Sequence, residues 1–110
     1  MKHFSTSVVE LRQDFASAIE THPFECGWAE EAIFFVEVHD ASPGTTITLR
    51  VQLSPDGIRW LDEGTTLAVA DSAFVRVTQF GGFLRLVGIA TTEDGRETPC
   101  VLSVRLALKG

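Results

Sequence analysis

Residues 46–53 read TITLRVQL: Thr46, Thr48, Arg50 and Gln52 alternate with Ile47, Leu49, Val51 and Leu53. A period of two puts the four aliphatic side chains on one side of an extended chain and the four polar ones on the other. That is the pattern of a strand with one buried face. The next four residues, Ser54-Pro55-Asp56-Gly57, stop it. Proline presets φ for the second position of a type I turn, aspartate suits the third, and glycine can take the left-handed conformation that follows. Ile58 is then expected to resume a strand, with Trp60 on the same face capping one end of the core. Strand, tight turn and strand make an antiparallel hairpin.

The same period recurs on both sides of this hairpin. In 32–38, Ala32, Phe34, Val36 and Val38 oppose Ile33, Phe35 and Glu37, with His39 continuing the second set. In 73–79, Val75 and Val77 oppose Phe74, Arg76 and Thr78, and in 83–89 Leu84 and Leu86 oppose Phe83, Arg85 and Val87. In 101–108, Leu102, Val104, Leu106 and Leu108 oppose Ser103, Arg105 and Ala107. Turn signals separate the runs: Asp40-Ala41-Ser42-Pro43-Gly44, Asp62-Glu63-Gly64, Gly81-Gly82 and Glu93-Asp94-Gly95. Short punctuated strands without intervening helices predict an all-β fold, a single antiparallel β-sandwich, jelly-roll-like. A chain of 110 residues is one domain, 1–110, with one core.

Residues 1–22 allow two readings. Val8, Leu11, Phe15 and Ile19 follow a 3-4-4 spacing that fits a short helix. The Ser, Thr and Val content and the stop at Thr21-His22-Pro23 fit an edge strand. Either packs on the sandwich or extends from it.

Composition excludes several partners. A net charge of −6 and a pI near 4.9 argue against nucleic acid and against docking on anionic lipid, both of which need a basic surface. No apolar run approaches the roughly 20 residues of a membrane span. The opening MKHFSTSVVELRQDF has no continuous apolar core of a signal peptide, so the expected address is cytoplasmic or virion-associated. Cys26 and Cys100 are the only cysteines and lack CxxC spacing. Two reduced, partly buried thiols are expected; a bridge from the early region to the last strand is the other reading.

The residues that carry chemistry do not gather into a motif. None of His3, His22 and His39 is accompanied by a GxSxG elbow. Glu37 and His39 share a strand face, but two ligands do not make a metal site. Asp56, Asp62 and Glu63 flank one hairpin without the oxygen spacing of a calcium loop. Glu93, Asp94 and Glu97 read as a solvated tip, and no helix or lysine follows Gly81-Gly82 to make a phosphate loop. No catalytic, metal or cofactor residue is assigned, and the chain is not expected to be an enzyme.

Two features ask for a partner. Arg50, Arg76, Arg85 and Arg105 each fall opposite the aliphatic set of a strand. They pair with acidic neighbours such as Glu37, or they offer fork donors to another protein. Ile33, Phe35, Phe74, Phe80, Phe83 and Val87 fall on exterior faces or in turns that are then too apolar for open water. Either the N-terminal segment covers them or another subunit does. Eight phenylalanines and no tyrosine suit packed protein contacts. The candidate interface is therefore Phe35, Phe74, Arg76, Phe80, Phe83 and Arg85, facing other protein subunits in a homo-oligomer, shell or tube. The alternative is a carbohydrate-binding module using Trp28 and Trp60 with Asp56 and Asp62.

The succession THPFECGWAEEAIFFVEVHDASPGTTITLRVQLSPDGIRWLDEG, FVRVTQFGGFLRLVGIA and VLSVRLAL, over about 23–108, resembles a group of small bacterial and phage-associated β-sandwich proteins. The resemblance rests on the EAxFFVEV strand, the TLxVxxxxSPDGxxW hairpin and the GxFLRL strand. Similar modules occur among virion components such as head-decoration and tail-associated proteins. What it implies is assembly into a shell, tube or fibre through sheet faces and loops, with no catalytic residues.

Overall fold

The computed structural model describes residues 4–78 and 80–110; His3 and Gln79 lie outside the described residues. Nine strands follow in order: β1 (Phe4–Phe15), β2 (Ala18–Glu20), β3 (Phe24–Glu25), β4 (Glu31–Ala41), β5 (Thr46–Ser54), β6 (Leu61–Val69), β7 (Ser72–Thr78), β8 (Phe83–Thr91) and β9 (Cys100–Lys109). The described residues contain no helix. All pairings are antiparallel, and they build two sheets. Sheet A has the order β1-β9-β4-β7; sheet B has the order β2-β8-β5-β6, with β3 also on β8.

The pairings nest. β5 pairs with β6, β4 with β7, β2 with β8 and β1 with β9, so the chain is one long hairpin folded over into two facing sheets. The alternation explains the burial between them. Phe34, Val36, Ile47, Leu49, Val51, Leu84, Leu86, Leu102, Val104, Leu106 and Leu108 are all at most 1% exposed. Their polar neighbours in sequence face outward, as a two-residue period requires. The all-β antiparallel sandwich expected from the sequence is the observed fold.

From Phe4 on, the segment with two readings forms strands and no helix. β1 is the edge of sheet A, and its register on β9 slips between Val8 and Glu10 and again between Glu10 and Gln13. Arg12 there takes φ 45°, a left-handed conformation that an L-residue adopts in bulges. Each slip changes which side chains face the core, so residues on one face stop recurring at every second position. The residues at the 3-4-4 spacing do not share a face: Val8 and Leu11 are exposed, whereas Phe15 and Ile19 pack on the core.

Cys26 and Cys100 are both free and buried. Cys26 lies where its N–H donates to Gly82 O, at the end of the sandwich that holds the β5–β6 loop, whereas Cys100 pairs with Phe15 and Ala41 at the other end. Burial pushes the Cys26 thiol up to about 12 and raises Cys100 as well. Neither thiol is therefore expected to react with an aromatic disulfide reagent at pH 8 in the folded protein, and both should react once it is unfolded. A thiol count in native and denaturing buffer checks this.

Candidate functional site

The 54–60 loop, SPDGIRW, uses its chemistry internally. Ser54 Oγ accepts the N–H groups of Asp56 and Gly57 (3.3 and 2.8 Å). Asp56 Oδ1 accepts the N–H groups of Ile58 and Arg59 (2.8 and 3.0 Å) and the Ser54 hydroxyl (3.0 Å). Gly57 has φ 78°, the left-handed conformation that favours glycine, and the ring of Phe83 lies at van der Waals distance from it. The turn residues thus act as expected, but Ile58 does not resume the strand. It is 80% exposed, and β6 begins only at Leu61. The reason is that Asp56 holds two further amides in the turn before pairing can restart.

Those bonds, first from Arg59, then Ile58, then Ser54, hold the Asp56 carboxyl below its ordinary value of 3.8. A depressed folded-state value means the stabilising contribution is present above the ordinary value and is lost as pH falls through the folded one. The Ile58 and Arg59 amide resonances are accordingly expected to titrate with a midpoint below 3.8, and Asp56→Ala to speed their hydrogen exchange while the sandwich stays folded. NMR over an acid titration checks both.

Trp60 does not cap the core. Its ring lies under the Arg85 guanidinium on the outer face of sheet B, with Arg85 Cζ 4.1 Å from the ring centroid. Arg85 also donates to Gln52 Oε1 (2.9 Å) and pairs with Glu20 (2.9 Å). Asp62 accepts from Gln52 Nε2 (2.9 Å) and Arg50 Nε (3.0 Å), which together hold its carboxyl below the ordinary range. A polar ladder therefore crosses β6, β5, β8 and β2 of sheet B, from Asp62 to Glu20. Val87 is 7% exposed between Arg50 and Glu20, the residues opposite it on the two neighbouring strands, rather than open as expected.

This ladder divides the candidate residues. Phe83 and Arg85 stand on sheet B, and Arg85 spends its donors within the chain rather than presenting them to a partner. Phe80 packs against the core beside Ala29 and Thr78. Phe35, Phe74 and Arg76 stand on the outer face of sheet A. The six expected interface residues do not form one surface, because β4 and β7 belong to one sheet and β8 to the other. Of the alternative ligand residues, Asp56, Trp60 and Asp62 already have the intramolecular partners given above. Trp28, between β3 and β4, lies against Gly110.

The outer face of sheet A is different in kind. Phe35 and Phe74 are opposite each other in register, with ring centroids 6.2 Å apart, and are 42% and 52% exposed. Arg76 lies over the Phe74 ring at 5.0 Å, and a 410 Å³ cleft runs from Phe35 and Phe74 to Arg105 and Glu37. Val8 and Phe4 of β1 share this face, at 52% and 66% exposed. The sequence reading missed both, since the register slips of β1 hid its alternation; the pattern Phe4, Thr6, Val8 before the first slip is the signal that was there.

On the same face His39 Nε2 lies 2.7 Å from Ser103 Oγ, and His39 Nδ1 lies 3.5 Å from Glu37 Oε1. The order is that of nucleophile, base and acid. However, Ser103 is 1% exposed and its Oγ accepts the Arg12 N–H at 3.0 Å, so no substrate carbonyl can reach it. Glu37 and His39 do meet, but among the described residues no group of three or more His, Cys, Asp or Glu side chains is placed to hold a metal. No described helix is long and apolar enough to cross a membrane.

No protein-family model matches the sequence, and no curated protein matches it either. Solved structures share its fold. The crystal structure of SPBc2 prophage-derived protein YomS is 9% identical with a TM-score of 0.59, covering 100% of this chain and 96% of that one. PBSX exported protein XepA is 10% identical with a TM-score of 0.56; the match covers 98% of this chain and 36% of XepA, so the chain spans about a third of that protein. At these identities the likeness is one of fold.

Proposed function

We propose that this chain is a non-enzymatic structural protein that binds other protein subunits through the outer face of sheet A, as a shell, tail or decoration component of a phage-like particle. The observation that carries this reading is the pair Phe35 and Phe74, roughly half exposed side by side on β4 and the edge strand β7, with Arg105 and then Val8 of the other edge strand completing the row. Sheet B shows how this sequence finishes a face meant for water: it lays a charged ladder over it. On sheet A Arg76 lies over the Phe74 ring, yet Phe74, Phe35 and Val8 stay about half exposed, and exposed apolar surface rimmed by polar residues is characteristic of contact sites. That the fold is shared with a prophage-derived and a PBSX exported protein supports the phage setting.

The test is co-sedimentation. Particles from the source organism should carry the wild-type chain through a density gradient, and Phe35→Thr with Phe74→Thr should leave it in the unassembled fraction. Threonine keeps β-propensity, so the variant should stay folded. A chain that never enters particles, or a double variant that enters as well as wild type, would sink the reading.

A further inference from the structure

We infer that two copies of this chain pair edge to edge through Phe4–Val8 of β1, antiparallel about a twofold axis at Thr6. The four strands of sheet A and their counterparts then form one continuous sheet. The inference rests on the edge of sheet A and not on the reading of its outer face. β1 ends the strand order of sheet A, so its outer side has no strand beside it. An open edge presents unpaired N–H and C=O groups, and proteins blunt such edges with bulges, charges, proline, shortness or a covering segment. The other edges of this sandwich are blunted. β2 and β3 are three and two residues long. β6 carries Asp62, Glu63 and a register slip, and its far end turns through Ala70-Asp71 into β7, which lies against it. β7 carries Arg76. The second half of β1 has Glu10, Arg12, Asp14 and both of its register slips.

Phe4–Val8 has none of these devices. It holds one unbroken register on β9, from Phe4 opposite Lys109 to Val8 opposite Arg105. It includes no charged residue, proline or glycine. Phe4, Ser5, Thr6 and Val8 are exposed, and Ser7 is half-buried. Lys109 Nζ lies over the Phe4 ring at 5.9 Å, yet Phe4 stays 66% exposed.

What selects a second copy is the order of these residues. Read antiparallel against itself about Thr6, the stretch FSTSV sets Phe4 on Val8 twice, Ser5 on Ser7 twice and Thr6 on Thr6. Aromatic with β-branched and hydroxyl with hydroxyl are cross-strand pairs that stabilise sheets, and isologous contacts need such self-complementarity. Strand residues point their N–H and C=O groups to either side by turns, and each pair here joins positions an even number apart. The outward groups of one copy therefore meet the outward groups of the other, giving roughly four to six backbone hydrogen bonds. Sliding the register by one residue loses that match. Sliding it by two sets Phe4 against Thr6, or against Glu10 beyond the first slip. The pairing also brings Phe4 of one copy level with Val8 of the other, so an aromatic side chain extends the row of Val8, Arg105, Phe35 and Phe74 across the junction. A contact of five residue pairs is smaller than the roughly 800 Å² per partner of a stable complex, so the pairing is weak and concentration-dependent.

Oxidative cross-linking tests the register. Directly opposed residues have Cα atoms about 4.5–5.5 Å apart, inside disulfide reach, whereas diagonal neighbours lie about 7–8 Å apart, beyond it. Thr6→Cys should therefore give a disulfide-linked dimer by itself. Ser5→Cys and Ser7→Cys should each give little dimer alone and cross-link when mixed. Cys26 and Cys100 are buried and stay out of the reaction. Sedimentation velocity supplies the second readout: by roughly 500 μM the mean mass of wild type should rise toward twice 12.0 kDa. Thr6→Glu sets like charges opposite each other and should weaken pairing about fivefold, as should Thr6→Lys, and mixing the two should restore it. Thr6 is exposed, so both charged variants should melt close to wild type, and the cysteine variants read the register without adding charge to the strand. A wild type that stays monomeric, a Thr6→Cys variant that links no faster than Ser5→Cys, or charged variants that mixing does not restore would each overturn the inference.

Discussion

Replacing Phe34 by alanine should destabilise the fold by about 3–5 kcal/mol, the range for truncating a buried aromatic side chain. Phe34 is 0% exposed in the centre of sheet A, paired with Val75 on one side and Leu106 on the other. Removing its ring loses transfer energy and leaves a cavity that flanking strands, fixed by their own ladders, cannot collapse to fill. Small domains are stable by only about 5–15 kcal/mol, so the loss is a large share of the total. The melting temperature should fall on the order of 15 °C. Urea denaturation checks it: the midpoint should drop while the slope stays constant.

The next residue in the chain should behave in the opposite way. Phe35→Thr with Phe74→Thr should leave stability within about 1 kcal/mol of wild type, the span of strand propensity at exposed sites. Association through the sheet A face should weaken by roughly a hundredfold or more, since truncated aromatic anchors at an interface centre commonly cost about 2 kcal/mol each and 1.4 kcal/mol is tenfold. A dilution series followed by light scattering, beside a melting curve on the same samples, separates the two effects. A double variant that lost stability as Phe34→Ala does would place these rings in the fold rather than at a contact.

The contrast between Phe34 and Phe35 is legible in the sequence, because a two-residue period assigns adjacent side chains to opposite faces. The same logic read β4, β5, β8 and β9 from 32–38, 46–53, 83–89 and 101–108. It failed where the backbone breaks the period. The slips at Val8, Glu10 and Gln13 hid β1 and with it half of the exposed face. The Asp56 cap held Ile58 and Arg59 in the turn and carried Trp60 to Arg85 instead of to the core. Face membership was also out of reach, since alternation says which side of its own sheet a residue takes but not which sheet holds the strand. Grouping Phe83 and Arg85 with Phe35 and Phe74 joined β8 to β4 and β7 across the core. Pairings between strands distant in sequence decide that, and periodicity carries no record of them.

Hydroxyl-radical footprinting of the assembled and dispersed protein tests the central claim most directly. Phe4, Val8, Phe35 and Phe74 on sheet A should become protected on assembly, while Ile58 and Leu61, at 80% and 63% exposed, stay reactive. Protection of Ile58 and Leu61 with Phe35 and Phe74 still open would contradict it.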